Sequence, residues 1–509
     1  MKKSLLLVGC IVSIGTLCAQ TPSFITDSLD SYIQTGMKEW QVPGLSLVIV
    51  KDGKVVVMKG FGVKDTVSKE PVDENTLFMI ASNTKLFTAT ALAQLEYDKK
   101  LSLDDKITKY YPDFQLYDPN STALVSIKDM LCHRIGTKTF QGDFTFWNSL
   151  YTRDEIMHKM RLLKPIHPFR QDFGYCNSCV MTAGQIIPKV TGEAWDKYVE
   201  DSLLGPLGMN HTYTSIGKVP GGVRLAQPYT TSFSGELHTV PLDQWDNLGP
   251  AAALISNVSD LSHWLMCQLD SGRYDGRRVI PFGAMLRTRD INTILSSRKR
   301  GDVPTHVSGY ALGVESYDYA GREVYWHTGG AGGMVSVVCF IPEEKLGIAI
   351  LTNNDNQDFF VLLRQQIIDA YLGLPYLNRS EAGLRGFSKL MADTLRRINS
   401  WKERVRGNTP ELPMWAYAGH YIHPLYGSLD IRESGKGPAG SGLAVVFNGH
   451  AHLTARMRYM DNGEWLLEYD NILYGVFATR FKISAGKVVG LETKQSDFVE
   501  YDPYEFKKE

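Results

Sequence analysis

The sequence has no excess of charge of either sign. Its 509 residues carry 54 Lys and Arg against 55 Asp and Glu, a formal net charge of −1. Nucleic-acid binders normally show a basic excess, and electrostatic docking on an anionic membrane needs a basic cluster. Neither partner is expected. Long apolar runs are also missing after the first twenty residues: none reaches the ~18 residues of a spanning helix, so no integral membrane span is expected. There is no internal repeat and no low-complexity tract. Cysteine is scarce: seven are present, and five remain if Cys10 and Cys18 leave with a leader. An odd set is not a disulfide scaffold. Cys176-x-x-Cys179 has no second such pair, which argues against a zinc site and leaves a local disulfide or two packed thiols.

What is present begins with a targeting segment. Lys2 and Lys3 precede the apolar stretch Ser4 to Leu17, and Leu17-Cys18-Ala19-Gln20 resembles a cleavage site. Residues 1–20 therefore read as a signal peptide, and the protein as exported, with the periplasm as its location. A rival reading takes Leu7-Val8-Gly9-Cys10 as a lipoprotein signal with Cys10 lipidated.

Along the rest of the chain, residues 24–40 have helical spacing. Leu45 to Val50 and Val55 to Lys59 are strand-like runs joined through Asp52-Gly53, a hairpin signal. A strong helical pattern covers 83–98, helices and loops alternate to 210, strands return at 323–326, 334–341 and 346–352, and a helix follows at 358–372. An α+β unit over 21–380 is expected, with an antiparallel sheet built from both of its ends. Residues 381–412 read as a partly helical linker. From 413 to 509, short strand-like runs and turns such as Asn462-Gly463 predict a small all-β, barrel-like domain.

Three motifs carry the chemistry. Ser82-Asn83-Thr84-Lys85 opens the helix at 83–98, so that hydroxyl and amine share one face. A serine needs a group to take its proton, and a lysine serves if burial lowers its pKa. Other Ser-x-x-Lys sets, at Ser215, Ser296 and Ser484, open no buried helix. Tyr175-Cys176-Asn177 offers a phenol for proton transfer and an amide for a substrate carbonyl; Tyr376-x-Asn378 and Tyr469-x-Asn471 match the same pattern. His327-Thr328-Gly329-Gly330 follows a strand-like run, and glycines there let a substrate backbone approach. His450-x-His452 resembles part of a zinc motif, but two histidines on one strand face are more often surface residues, and neither metal nor cofactor is expected.

In this order, S-x-x-K, Y-x-N and H-T-G resemble the class C β-lactamase-related serine hydrolases, a family that also holds D-alanyl-D-alanine carboxypeptidases, D-aminopeptidases, esterases and some acyltransferases. Pro206-Leu207-Gly208-Met209 and Leu346-Gly347 to Asn353 fit the same pattern, and the likeness spans about 24–375. The resemblance implies a β-lactamase/transpeptidase-like sheet flanked by helices, with a lipocalin-like accessory domain behind it. It implies that Ser82 forms an acyl-enzyme, that Lys85 and Tyr175 share the proton traffic, and that Asn177 orients the acyl side chain. The N–H groups of Ser82 and Gly330 would hold the oxyanion, and His327 and Thr328 would face the leaving group or a substrate carboxylate. The substrate would be a small-molecule or peptide acyl compound, consumed by hydrolysis. Acyl transfer to a hydroxyl or amine acceptor and a non-turnover penicillin-binding role are the alternatives.

The sequence also departs from the family pattern. His327 stands where β-lactamases of this class carry lysine, which argues against efficient β-lactamase activity; its titration would make activity vary between about pH 5 and 8. Met130 to Gly136 replaces a Leu-Ser-His-Thr-Ser-Gly-like run, leaving His133 as a structural hydrogen-bonding residue. The loop 137–174 holds Phe140, Phe144, Phe146, Trp147, Tyr151 and Phe169, which suit an apolar pocket or core packing equally.

Overall fold

The computed structural model describes residues 21–223, 225–299, 303–437 and 440–509. The expected leader and Cys10 lie outside the described residues. The centre of the first unit is an eight-stranded antiparallel sheet. Its strands are β1 (Gly44–Lys51), β2 (Lys54–Gly62), β3 (Thr293–Ser296), β4 (Ser308–Tyr310), β5 (Glu315–Tyr319), β6 (Arg322–Ala331), β7 (Met334–Ile341) and β8 (Leu346–Thr352). They lie in the order β2-β1-β8-β7-β6-β5-β4-β3, so the N-terminal hairpin pairs with the last strand, Leu45 opposite Thr352.

β7 and β8 are buried along their whole length because both faces of the sheet are covered, which is why they read as unbroken apolar runs. One face packs Leu47, Val337 and Ile350 against α1 (Leu29–Glu39) and α5 (Phe359–Tyr371). The other packs Val48, Val338 and Leu351 into a larger core with α2 (Thr84–Tyr97), α3 (Asn177–Gly184) and α4 (Val258–Leu269). Most of α2 is buried on every side, the polar Thr84, Lys85, Thr88 and Thr90 included, so the helix lacks the single apolar stripe of a surface helix.

The expected N-terminal helix divides into a π-helical turn, Phe24–Ser28, and α1. β3, β4 and β5 were not foreseen. They are short, and stretches such as Thr293-Ile294-Leu295-Ser296 and Ser308-Gly309-Tyr310 lack a sustained apolar pattern; pairing with β6 makes them strands.

α6 (Arg379–Glu403) runs from α5 to the C-terminal unit, where Ile398 joins Met460, Leu466 and Val476. That unit is a closed antiparallel barrel of β9 (Gly419–His423), β10 (Gly427–Gly437), β11 (Gly440–Phe447), β12 (Thr454–Tyr459), β13 (Glu464–Tyr469), β14 (Val476–Ser484), β15 (Lys487–Thr493) and β16 (Tyr504–Lys508). The last strand is the one the sequence pattern hides, since Tyr504-Glu505-Phe506-Lys507-Lys508 is mostly polar. It closes the barrel between β15 and β9.

Candidate active site

Ser82 lies in a 3-10 turn, Ala81–Asn83, that leads directly into α2. Ala81 has a left-handed backbone, φ 46°, which costs a non-glycine residue about 1–2 kcal/mol. Its neighbours hold it there. Ile80 N–H donates to the Leu254 carbonyl at 3.0 Å, and Asn83 Nδ2 donates to the Ile80 carbonyl at 3.2 Å and to Ser336 Oγ of β7 at 2.9 Å. A Cβ on Gly329 of β6 would lie 2.0 Å from the Ile80 carbonyl oxygen. Only glycine lets β6 come this close to the serine turn. Gly329→Ala is expected to force the two apart and cost about 1–3 kcal/mol of stability, as overpacking does, read from denaturant unfolding.

One turn into α2, Lys85 is buried. Its Nζ lies 2.8 Å from Ser82 Oγ, 2.6 Å from Asn177 Oδ1 and 2.9 Å from the Ala251 carbonyl oxygen. Burial pulls the amine down to about 7, against the opposing pull of Asp143 and Cys176. A neutral amine has two N–H bonds and one lone pair. The Ala251 and Asn177 oxygens can only accept, so they take both hydrogens. The lone pair is left facing Ser82, whose hydroxyl then donates to it.

Asn177 is the first residue of α3, and its Nδ2 donates to Asp143 Oδ2 at 2.6 Å. That bond fixes which end of the amide faces Lys85. Burial pushes the Asp143 carboxyl well above the usual carboxylate range. The phenol of Tyr175 faces Ser82, and Lys85 Nζ stands 4.8 Å from its ring centre. Burial raises the phenol well above its ordinary value although a hydrogen bond with Ser82 opposes this, so Tyr175 stays protonated at neutral pH.

His327 is also buried. Its Nδ1 lies 2.5 Å from the Thr328 carbonyl oxygen and must donate; its Nε2, 2.9 Å from Tyr310 Oη, accepts. Burial, followed by the charge of Lys85, pushes the imidazole down to about 3. It is neutral throughout pH 5–8, so the titration expected there from His327 is absent, whereas the Lys85 amine titrates within that range. His133 accepts the Cys176 N–H on Nδ1 at 3.0 Å and stacks obliquely on Tyr175, with ring centres 4.4 Å apart. Cys176 and Cys179 are free, buried thiols, as are Cys132, Cys267 and Cys339.

β6 pairs with β7 as far as Ala331, but its pairing with β5 stops at Trp326 opposite Glu315. The backbone edge from His327 to Ala331 therefore has no strand partner on the β5 side among the described residues. Ser82, Tyr175, Asn177, His327, Thr328 and Gly330 all line one cleft of about 760 Å³. The competing motifs lie elsewhere. Lys218 pairs with Asp196 and Glu200 at 2.9 and 2.6 Å, Ser484 ends β14, Tyr376 is exposed, and Tyr469 belongs to the barrel.

The family described as Beta-lactamase matches residues 29–372, most of the chain. The chain belongs to the beta-lactamase family. The C-terminal barrel falls outside the matched span. Among curated proteins, "Unguisins hydrolase ungD" of Aspergillus violaceofuscus is 26% identical over 431 residues, 78% of this chain and 75% of that protein. "Protein flp" of Staphylococcus aureus is 26% identical over 341 residues, 65% of this chain and 63% of its own length. Among solved structures, the octameric penicillin-binding protein homologue from Pyrococcus abyssi superposes with TM-score 0.61 at 22% identity, covering 94% of this chain and 99% of that one, a likeness of fold.

In this beta-lactamase-family chain the cleft has contributors that sequence reading missed. Phe498 and Tyr501 come from the barrel side and join Phe140, Phe146, Trp147 and Trp245 in its walls. Of the loop aromatics, Phe144 instead packs into the barrel and Tyr151 lies against Gly449. Tyr310 and Asp143 were also missed. Asp143 did leave a trace: it is the only charged residue from 139 to 152, a lone acid in an aromatic run. His450, read as a surface residue, is buried, with Nε2 donating to the Phe144 carbonyl at 2.7 Å. No group of three or more His, Cys, Asp or Glu among the described residues is placed to hold a metal ion. No helix among them is long and apolar enough to cross a membrane.

Proposed function

We propose that this beta-lactamase-family member is an exported serine hydrolase that forms an acyl-enzyme on Ser82. Its substrate would be an ester, amide or β-lactam of a small molecule or D-peptide. The observation that carries the reading is the buried Lys85 amine, 2.8 Å from Ser82 Oγ with its other two neighbours both acceptors. Export rests on the leader-like residues 1–20.

In the first half-reaction Ser82 Oγ gives its proton to Lys85 Nζ and bonds to the acyl carbon. The carbonyl oxygen gains the electron pair and is held by the N–H groups of Ser82 and Gly330, each worth about 3–4 kcal/mol in comparable sites. Tyr175, held protonated by burial, donates its O–H to the leaving group and takes a proton back from Lys85. Water then attacks the ester by the same route in reverse. Asn177 contributes by holding Lys85, and Thr328 and the open β6 edge offer the substrate backbone hydrogen bonds.

The cleft also bears on substrate class. Asp358 and Asp497 line it, whereas no arginine or lysine among the described residues does. With His327 neutral, a substrate carboxylate finds no cation there. This favours neutral esters and amides over β-lactams and peptides ending in a free carboxylate. The aromatic walls support a second reading, acyl transfer to a bulky apolar hydroxyl or amine acceptor.

The test is a screen of a β-lactam, a D-Ala-D-Ala peptide and short acyl esters, with alcohols added and products read by mass spectrometry. Released acid supports hydrolysis, a new ester supports transfer, and a lasting adduct on Ser82 supports the non-turnover alternative. The acylation rate should rise with pH through about 7, because the amine must be neutral to accept the proton. A rate that is flat from pH 5 to 9 would count against Lys85 as the base.

A further inference from the structure

The C-terminal barrel does more than wall the cleft. Residues 142–151 of the first unit are hydrogen-bonded into it. Leu150 N–H donates to the Gly449 carbonyl at 2.9 Å, and Ala451 N–H donates to the Asn148 carbonyl at 3.0 Å. The tightest hold lies on either side of Asp143. Glu500, in the segment between β15 and β16, accepts the Gly142 N–H on Oε1 at 2.9 Å and the Phe144 N–H on Oε2 at 3.2 Å. Tyr426 donates its hydroxyl to Oε1 at 2.5 Å. On the carbonyl side, His450 Nε2–H donates to Phe144 and its ring stacks on that of Phe144, centres 3.9 Å apart. Glu500 and His450 are both buried. Two barrel side chains thus grip the peptide units around one residue, and that residue is the partner of Asn177.

We propose that Glu500 is a positioning residue for the acylation step, acting through the loop and Asp143 on Asn177 and so on the direction of the Lys85 lone pair. The chain of contacts is continuous. Glu500 fixes the 142–144 backbone. Asp143 Oδ2 then receives Asn177 Nδ2 at 2.6 Å, which turns Asn177 Oδ1 toward Lys85 Nζ at 2.6 Å. If the loop drifts, the amide is free to rotate. An NH2 group facing Lys85 would take up the lone pair that must receive the serine proton. The second unit would then be part of the catalytic apparatus although none of its side chains carries a proton in that step. Glu500 lies close enough for its charge to add to the upward push that burial gives the Asp143 carboxyl. Burial pushes Glu500 up to about 7, while the three donors it accepts pull the other way.

The inference rests on Ser82 being the nucleophile, and the experiment keeps the two apart. The full-length protein is labelled with a fluorophosphonate at several concentrations, so that the maximal labelling rate and the half-saturating concentration are obtained separately. Glu500→Gln keeps the volume but presents an NH2 group to one of the loop N–H donors. The maximal rate is expected to fall about tenfold to a hundredfold, with half-saturation changed by less than about threefold, as for a misplaced catalytic group. In an Asp143→Ala background the same substitution should change the rate less than about twofold, because two residues acting in series do not add. Should Glu500→Gln not fold, His450→Leu, which frees the Phe144 carbonyl of the same loop, is read in its place with the same outcomes. An unchanged maximal rate overturns the inference, and so does a full multiplicative loss in the Asp143→Ala background. Failure of the wild-type protein to label at Ser82 instead overturns the serine reading on which the inference stands.

Discussion

Ser82→Ala is expected to abolish covalent labelling by a fluorophosphonate or penicillin probe and to lower turnover by as much as about 10⁶-fold, the order seen when a serine nucleophile is lost. The size follows from the site. Tyr175 and Lys85 stay in place when the hydroxyl is removed, but Tyr175 stays protonated and the Lys85 amine is buried and does not line the cleft, so neither reaches a carbonyl there. The substitution is otherwise mild. Ser82 contributes one hydrogen bond to Lys85, and the turn around it is held by Ile80, Asn83 and Ser336. Folding should therefore be nearly unchanged, with a melting temperature close to that of the wild type. Peptide mapping of the labelled wild-type protein decides the matter, because label on any other residue would move the site.

Lys85→Met is expected to lower the acylation rate by about 10²–10⁴-fold, the usual contribution of a positioned general base, and to leave what remains insensitive to pH near 7. Methionine has a similar length and no need of solvation. It relieves the cost of burying an amine while leaving Asn177 Oδ1 and the Ala251 carbonyl without their donor, so the net change in stability should be small. A lost rate in a protein that still melts cooperatively assigns the effect to chemistry. A labelling rate unchanged in Lys85→Met would make Lys85 a packing residue and leave Ser82 without a base.

Much of this was legible in the sequence because it is local. Ser82 and Lys85 lie one helical turn apart. β7 and β8 read as strands because two layers of helices bury both their faces, which forces an unbroken apolar run. Strand-like stretches in the tail announce themselves by alternation and turns. What escaped depends on tertiary pairing. β3, β4 and β5 are short and partly polar, and they become strands only as partners of β6. β16 alternates too weakly to be seen, yet it closes the barrel. Asp143 stands out only as a lone acid in an aromatic run, Tyr310 and Glu500 not at all, and their meaning comes from chain crossings of 34 residues, to Asn177, and 17, to His327, and of hundreds to the barrel. His327 shows the opposite error. Its residue type suggests titration near neutrality, but burial beside Lys85 removes it.

One property decides the mechanism: a large fraction of the Lys85 amine is neutral at physiological pH inside the folded protein, with its lone pair toward Ser82. NMR titration of the wild-type protein, following the lysine side-chain carbon and nitrogen resonances and assigning Lys85 by its loss in Lys85→Met, measures that property directly. A midpoint near 7 is predicted. A midpoint near the ordinary lysine value of 10.5 would show a charged ammonium at the site and contradict the account.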